Sequence, residues 1–297
     1  MKIAFGMIVL NGNYVLEECI KSVYPYANQI LIAEGPVTYW QQQGLSKSTD
    51  GTIEVLNSIP DPENKIQIVS SQYQEKDHQC NTYMKLLDED NDYIWNLDCD
   101  EVFKSRDIET IMEVLEEFKI TSVGFRSRSF YGGFDNVLGG FEEGAEFMRI
   151  RKVYPGSYWA THRPPTIAHT IPIHERLPKR HLDHNTLDEK LGVRMYHYSY
   201  VFPQQVKQKV SYYKAAVSKQ NCIDDYFENV YLPWVTGSQS TRSRIEEEYD
   251  GVHEFKPSVR GSCRTKPFEE EHPEIILQNM DKLKKRFEDQ LNEFRTH

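Results

Sequence analysis

The stretch "YIWNLDCDEVF", residues 93–103, decides how the rest of the chain is read. Tyr93, Ile94, Trp95 and Leu97 form a short apolar run of strand-forming residues, and the expectation is a buried β-strand. The run passes directly into Asp98, Asp100 and Glu101, with only Cys99 between them. Charge is too costly to bury unpaired, so acids at this point mark the place where the chain leaves the core.

Upstream and downstream of this stretch, strand and helix signals alternate. Residues 2–10 read as an apolar strand, and residues 14–23 place Val15, Leu16, Cys19, Ile20 and Val23 at helical spacing behind a candidate Asn13 cap. "QILIAEG" (29–35) is a second strand ending in Glu34, and "PVTYWQQQGLSK" reads as an insertion. "STDGT" (48–52) is a turn that opens a helix through Leu56. "KIQIVSS" (65–71) and "SVGFRSRSF" (122–130) read as further strands, and Asp77–Leu87 and Asp107–Phe118 as helices. This alternation predicts an α/β fold with a mostly parallel central sheet and helices on both faces. In such sheets ligands bind outside the carboxyl ends of the strands, where Glu34 and the acids after Leu97 both fall.

Beyond residue 130 the periodicity weakens. Residues 131–146 read as a Gly-rich, acidic loop, and 155–190 hold several prolines and five histidines without simple periodicity. Residues 204–219 and 273–294 read as helices. The expected organisation is a domain over 1–200 followed by a helical C-terminal annex over 201–297.

The charge balance, 35 basic against 45 acidic residues, argues against nucleic acid or an anionic membrane as a general partner. No apolar run is long enough to span a bilayer, and residues 1–12 read as a core strand and turn rather than a leader. The five cysteines are scattered with no metal-binding spacing, which fits a reducing, cytoplasmic setting.

In order, "FGMIVLNGNYVLEECIKSV" (5–23), "LIAEG" (31–35), "STDGT" (48–52), Asn81 and Asp98-Cys99-Asp100-Glu101 resemble the family-2 nucleotide-sugar glycosyltransferases of GT-A type. Within that family the resemblance is nearest to bacterial lipopolysaccharide-core-type members. "MRIRKV" (148–153), "IHERL" (173–177), "MYHYSYVFP" (195–203) and "EEHPEII" (270–276) extend it over nearly the whole chain. Two features depart from the family pattern: Glu34 replaces the usual Asp, a dozen residues before the STDGT turn, and Cys80 replaces the Arg before Asn81.

The resemblance implies a GT-A nucleotide-diphospho-sugar transferase fold and inverting transfer of a sugar to a saccharide acceptor. The donor is a nucleoside-diphosphate sugar, a UDP-sugar in the first place, with Mn²⁺ or Mg²⁺ as cofactor. It implies that Val9 and Asn11 flank the base, Glu34 accepts from it, Asp50 and Asn81 belong to the donor pocket, and Asp98 meets the ribose or the metal. Asp100 and His197 are the implied metal ligands, and Glu175 the first choice for the base that deprotonates the acceptor, with Asp135, Glu142 and Asp183 as alternatives.

Structural readings stand beside these. Asp50 before Gly51 is a natural turn former. His197 among aromatics is a natural core residue, Glu175 a partner for Arg176 or Arg180, and the acids a solvated loop with Asp107 capping the next helix. Lys207 and Lys209 could neutralise phosphate or face solvent, and the histidines of 162–184 fit no standard zinc spacing. Tyr154, Tyr158 and Trp159 suit an acceptor platform or core packing equally. Two other functions remain open: a sugar nucleotidyltransferase, disfavoured because "LNGNYVLEE" lacks a Gly-rich basic loop, and a non-catalytic carbohydrate-binding protein on a decayed transferase fold.

Overall fold

The computed structural model describes residues 1–217 and 221–295, and the chain divides into two units. The first comprises Met1–Phe125 and Glu146–Arg194; the second comprises Arg126–Ala145 and Met195–His297. The expected boundary near residue 200 therefore omits one exchange, because 126–145 leave the first unit for the second.

The first unit is α/β with a mostly parallel seven-stranded sheet. Strands β1 (Ile3–Val9), β2 (Gln29–Glu34), β3 (Ile66–Ser70) and β4 (Tyr93–Asn96) lie in the order β4-β1-β2-β3, all parallel. Beyond β4 come Phe147–Lys152, antiparallel to both its neighbours, then Ser122–Phe125 and His181–Leu182. β2 is buried throughout and β1 nearly so, which is why both read as continuous apolar runs rather than as alternation. Trp95 of β4 centres the core, stacked on Phe5 at 5.1 Å and Phe125 at 5.4 Å with the Phe103 ring edge-on at 4.9 Å.

Two expected caps are replaced. The helix Leu16–Val23 starts after Val15, and Asn13 instead binds Asp50. The helix Ser105–Phe118 starts after Lys104, and Asp107 lies inside its first turn, buried with Ile108, Ile111 and Leu115. There burial pushes the Asp107 carboxyl up against the opposing pull of Arg106 and the Arg194 backbone N–H.

The single strand expected over 122–130 is two strands. Ser122–Phe125 stays in the first unit, while Ser127–Tyr131 pairs in parallel with Met195–Tyr200 in the second. A partner nearly seventy residues away leaves no mark on local periodicity. The expected loop 131–146 contains the strand Asn136–Leu138 and the short helix Phe141–Gly144. The region 155–190 contains a strand pair, Tyr158–Thr161 with Thr166–Ala168, and the helix His184–Leu191 capped by Asp183.

The second unit is not purely helical, as an annex was expected to be. It carries strands in the order Thr265–Pro267, Asn136–Leu138, Ser127–Tyr131, Met195–Tyr200, with helices that include Pro203–Tyr212, Gln239–Glu248 and Glu274–Arg295. Of the helix expected over 204–219, residues 218 and 219 lie outside the described residues. Its interior is aromatic: Phe130 stacks on Tyr198 at 4.5 Å and Tyr131 meets Trp234 edge-on at 5.0 Å. Among the described residues no helix is long and apolar enough to cross a membrane.

Candidate functional site

The carboxyl ends of β4, β1 and β2 are adjacent in the first unit, and the segments leaving them are tied together by side-chain bonds. After β1 the chain turns at Asn11, whose φ of 51° is a left-handed conformation that Asn tolerates. The Asn11 backbone N–H donates to Ser48 Oγ at 2.9 Å, and its side-chain oxygen accepts from the Thr49 backbone N–H at 2.7 Å. Gly12 N–H donates to Thr52 Oγ1 at 2.8 Å, and Asn13 N–H to Asp50 Oδ2 at 3.0 Å. Asp50 also accepts from the backbone N–H and hydroxyl of Thr52, at 3.0 and 2.5 Å. The STDGT segment is thus a clamp on the β1 exit, with Gly51 at φ 91° opening the helix Thr52–Ser58. Asp50 is its pivot.

Glu34 ends β2 opposite Val9, whose carbonyl accepts from Gly35 N–H. The Glu34 carboxylate is fully buried. One oxygen accepts from Ser48 N–H at 2.7 Å; the other has no hydrogen-bond partner among the described residues. A buried carboxylate oxygen left unpaired is costly, and an N–H donor brought by a ligand would relieve it.

At the end of β4, Leu97 N–H donates to the Gly6 carbonyl, and the chain folds back so that Glu101 N–H reaches the Asp98 carbonyl at 3.0 Å. This turn sorts the acids. Glu101 is fully buried, whereas Asp98 and Asp100 are half-buried. Arg149, on the neighbouring strand Phe147–Lys152, supplies the counter-charge. Its Nε lies 2.9 Å from each Glu101 oxygen, and its Nη2 donates both to Glu101 and, at 2.7 Å, to Asp98 Oδ2. Burial works against the guanidinium charge, but Glu101 first and then Asp98 outweigh it, so Arg149 holds its proton more tightly than an ordinary arginine.

Glu101 is therefore committed to Arg149. Asp98 and Asp100, both half-buried, carry carboxylate oxygens of the kind that suit a hard divalent cation such as Mg²⁺ or Mn²⁺. Cys99 between them does not add a soft ligand, because burial and then the charges of Asp100 and Asp98 push its thiol well up. His197 lies in the second unit, buried within the strand Met195–Tyr200.

Asn81 exchanges hydrogen bonds with the Trp159 backbone, donating to its carbonyl and accepting from its N–H, both at 2.8 Å. That bond pair anchors the strand Tyr158–Thr161 on the helix Lys76–Met84. Cys80 Sγ lies 3.7 Å from His162 Nδ1, but the pair is not an activated thiolate. Burial raises the thiol to about 12 and lowers the imidazole to about 4, so both stay neutral near pH 7.

Glu175 sits exposed on the single 3₁₀ turn Ile173–Glu175, 3.7 Å from His174. Of the alternatives, Asp183 caps the helix His184–Leu191, accepting from Asn185 and Thr186 N–H. Asp135 is an exposed partner of Lys284, and Glu142 is buried beside Ser129, His253 and Arg260. His181 and His184, three residues apart, both face Glu146 at 2.9 and 3.3 Å. Lys209 donates to Ser199 and lies over Tyr200; Lys207 lies over Phe227 and Phe294. Of the aromatic trio, Trp159 is buried, Tyr158 exposed, and Tyr154 packs on His169.

Arg149 was not singled out from the sequence, although "MRIRKV" was. Its signal is the cation itself, alternating with Ile150 in a strand whose centre is buried and therefore requiring a buried acid. Ser48 and Thr52 stand in the STDGT turn already singled out, but their individual bonds to Glu34 and Gly12 leave no local signal.

Neither a protein-family model nor a curated protein matches the chain. Among solved structures, S. aureus TarS 1–349 in complex with UDP aligns at TM-score 0.34 and 11% identity, over 84% of this chain and 70% of that one. The same protein in complex with UDP-GlcNAc aligns at TM-score 0.33 and 13% identity, over 45% and 36%. The longer S. aureus TarS structure aligns at TM-score 0.32 and 13% identity, over 43% of this chain and 22% of that one. In this last alignment the chain spans about a fifth of TarS. At such TM-scores the likeness does not establish a common fold.

Proposed function

We propose that the chain is a glycosyltransferase that moves a sugar from a nucleoside-diphosphate donor, a UDP-sugar in the first place, to a saccharide acceptor with inversion. One observation carries the reading: three adjacent parallel strands end on one edge in Asn11, the half-paired buried Glu34 and the Asp98–Asp100 pair. The switch edge of a parallel sheet is where such folds take nucleotides.

In this reading Val9 and Asn11 flank the base, and the unpaired Glu34 oxygen accepts an N–H from it. Asp50 acts through the clamp that fixes Asn11 to Thr52. Asn81 supports the pocket wall through Trp159. Asp98 and Asp100 would hold Mn²⁺ or Mg²⁺. When bound, the ion supplies counter-charge to the departing diphosphate. Glu175 is the proposed base for the acceptor hydroxyl, since Asp183 is committed to a helix cap and Glu142 is buried in the second unit beside Ser129, His253 and Arg260.

The test is turnover and binding across a panel of nucleotide sugars with Mn²⁺, for the wild type and Asp100→Asn. Asn keeps volume and hydrogen-bonding capacity but deletes the charge. The expected result is a folded variant that has lost most metal-dependent transfer. Near-normal Mn²⁺-dependent transfer by the variant would sink the metal assignment. Absence of binding and turnover with every donor would sink the function.

A further inference from the structure

The contacts at the end of β4 present more than a pair of ligands. The acids Asp98, Asp100 and Glu101 carry three negative charges, and Arg149 returns one positive charge inside the same cluster. The guanidinium cannot lose its proton at any working pH, and it is only 8% exposed. Its Nη2 already holds the Asp98 oxygen Oδ2, 2.7 Å away. A divalent ion approaching Asp98 and Asp100 therefore meets two net negative charges, a fixed cation behind them, and one Asp98 oxygen already engaged.

We infer that Arg149 is a positioning residue that fixes Asp98 and holds down the affinity of the acidic site for a bare divalent cation. Tight binding then requires the oxygens of a diphosphate as additional ligands. This rests on the glycosyltransferase reading above and adds to it a built-in coupling between metal and donor. The chemistry agrees with the preference of Mg²⁺ and Mn²⁺ sites for one or two carboxylates completed by substrate phosphates. A purely structural Arg149–Glu101 strut would need no contact with Asp98. The Nη2–Asp98 bond is what makes the pair part of the site.

Mn²⁺ binding measured by calorimetry without nucleotide tests this in two variants. In the double variant Glu101→Gln/Arg149→Met the net cluster charge is unchanged, but the local cation and its hold on Asp98 are gone. Mn²⁺ should bind at least about ten-fold more tightly than to the wild type, because the Arg149 charge that is lost was bonded directly to Asp98 Oδ2 and outweighs the Glu101 charge lost with it. In Glu101→Gln alone, Arg149 keeps only Asp98 as a charged bonding partner, and Mn²⁺ should bind about ten-fold more weakly. Either variant suffices if the other fails to fold. An affinity within two-fold of wild type in a folded variant, or a shift in the opposite direction, overturns the inference. If the wild type binds Mn²⁺ and donor while the variants do not differ from it, only the role of Arg149 falls. If the wild type binds neither Mn²⁺ nor any nucleotide sugar, this inference and the function fall together.

Discussion

Glu101 and Arg149 are both buried and held to one another, so each depends on its partner for stability. Arg149→Ala should lower stability by about 3–5 kcal/mol, the usual cost of leaving one member of a buried ion pair uncompensated. Asp98→Asn, half-buried, should change it by less than about 1 kcal/mol. Urea unfolding of the two variants against wild type checks the contrast, and equal effects would refute it. The acids themselves were legible in the sequence, because an apolar strand running into three carboxylates has few explanations. Their cation was not, since residue 149 reaches residue 101 only through the pairing of two strands. The same limit applied at Glu34: the strand end was visible, but the Ser48 N–H that holds half of its carboxylate was not.

At the scale of elements, the turn at the end of β2 rests on Gly35. Its φ is 132°, and a Cβ there would lie 1.9 Å from the Ser71 carbonyl oxygen, a backbone atom that cannot move aside. Gly35→Ala should therefore cost several kcal/mol, more than the ordinary mutational range of about 1 kcal/mol, and should displace Glu34 with it. Loss of donor binding in a variant that still unfolds cooperatively would register that displacement; wild-type stability would refute it. Asp183→Ala removes a side-chain cap and should cost about 1 kcal/mol by thermal unfolding, without abolishing activity. A large loss of kcat in that variant would return Asp183 to candidacy as the base. Helices with a clear apolar face, such as Ser105–Phe118 and Glu274–Arg295, were read from the sequence to within two residues at either end. The run 122–130 was not, because both of its halves are buried and nothing local distinguishes one strand from two.

For the whole molecule, pH is the global probe. Glu254 in the second unit is buried against Tyr200, His253 and Lys209. Burial raises its carboxyl, but His253 above all, with Lys209 and Tyr200, more than offsets this and brings it from 4.5 to about 2. A carboxyl lowered in the folded state stabilises the protein above its unfolded value, and that contribution fades as pH falls from 4.5 towards 2. Glu254→Gln should thus be less stable by roughly 3 kcal/mol at pH 7, with the deficit shrinking by pH 3; denaturant titrations at both pH values decide it. A deficit that does not change with pH would show that packing, not charge, is lost. The exchange of 126–145 between units has a consequence for synthesis on the ribosome. The strand Phe147–Lys152 belongs between β4 and Ser122–Phe125, yet it is made after both and after twenty residues destined for another sheet. A nascent chain of which 145 residues have emerged therefore carries an open edge on β4, a Ser122–Phe125 strand with neither of its partners, and a Ser127–Tyr131 segment whose partner, Met195–Tyr200, does not yet exist. Such edges recruit foreign strands. Translation that stalls between residues 131 and 147 should yield aggregates, whereas release after residue 200 lets both partners in.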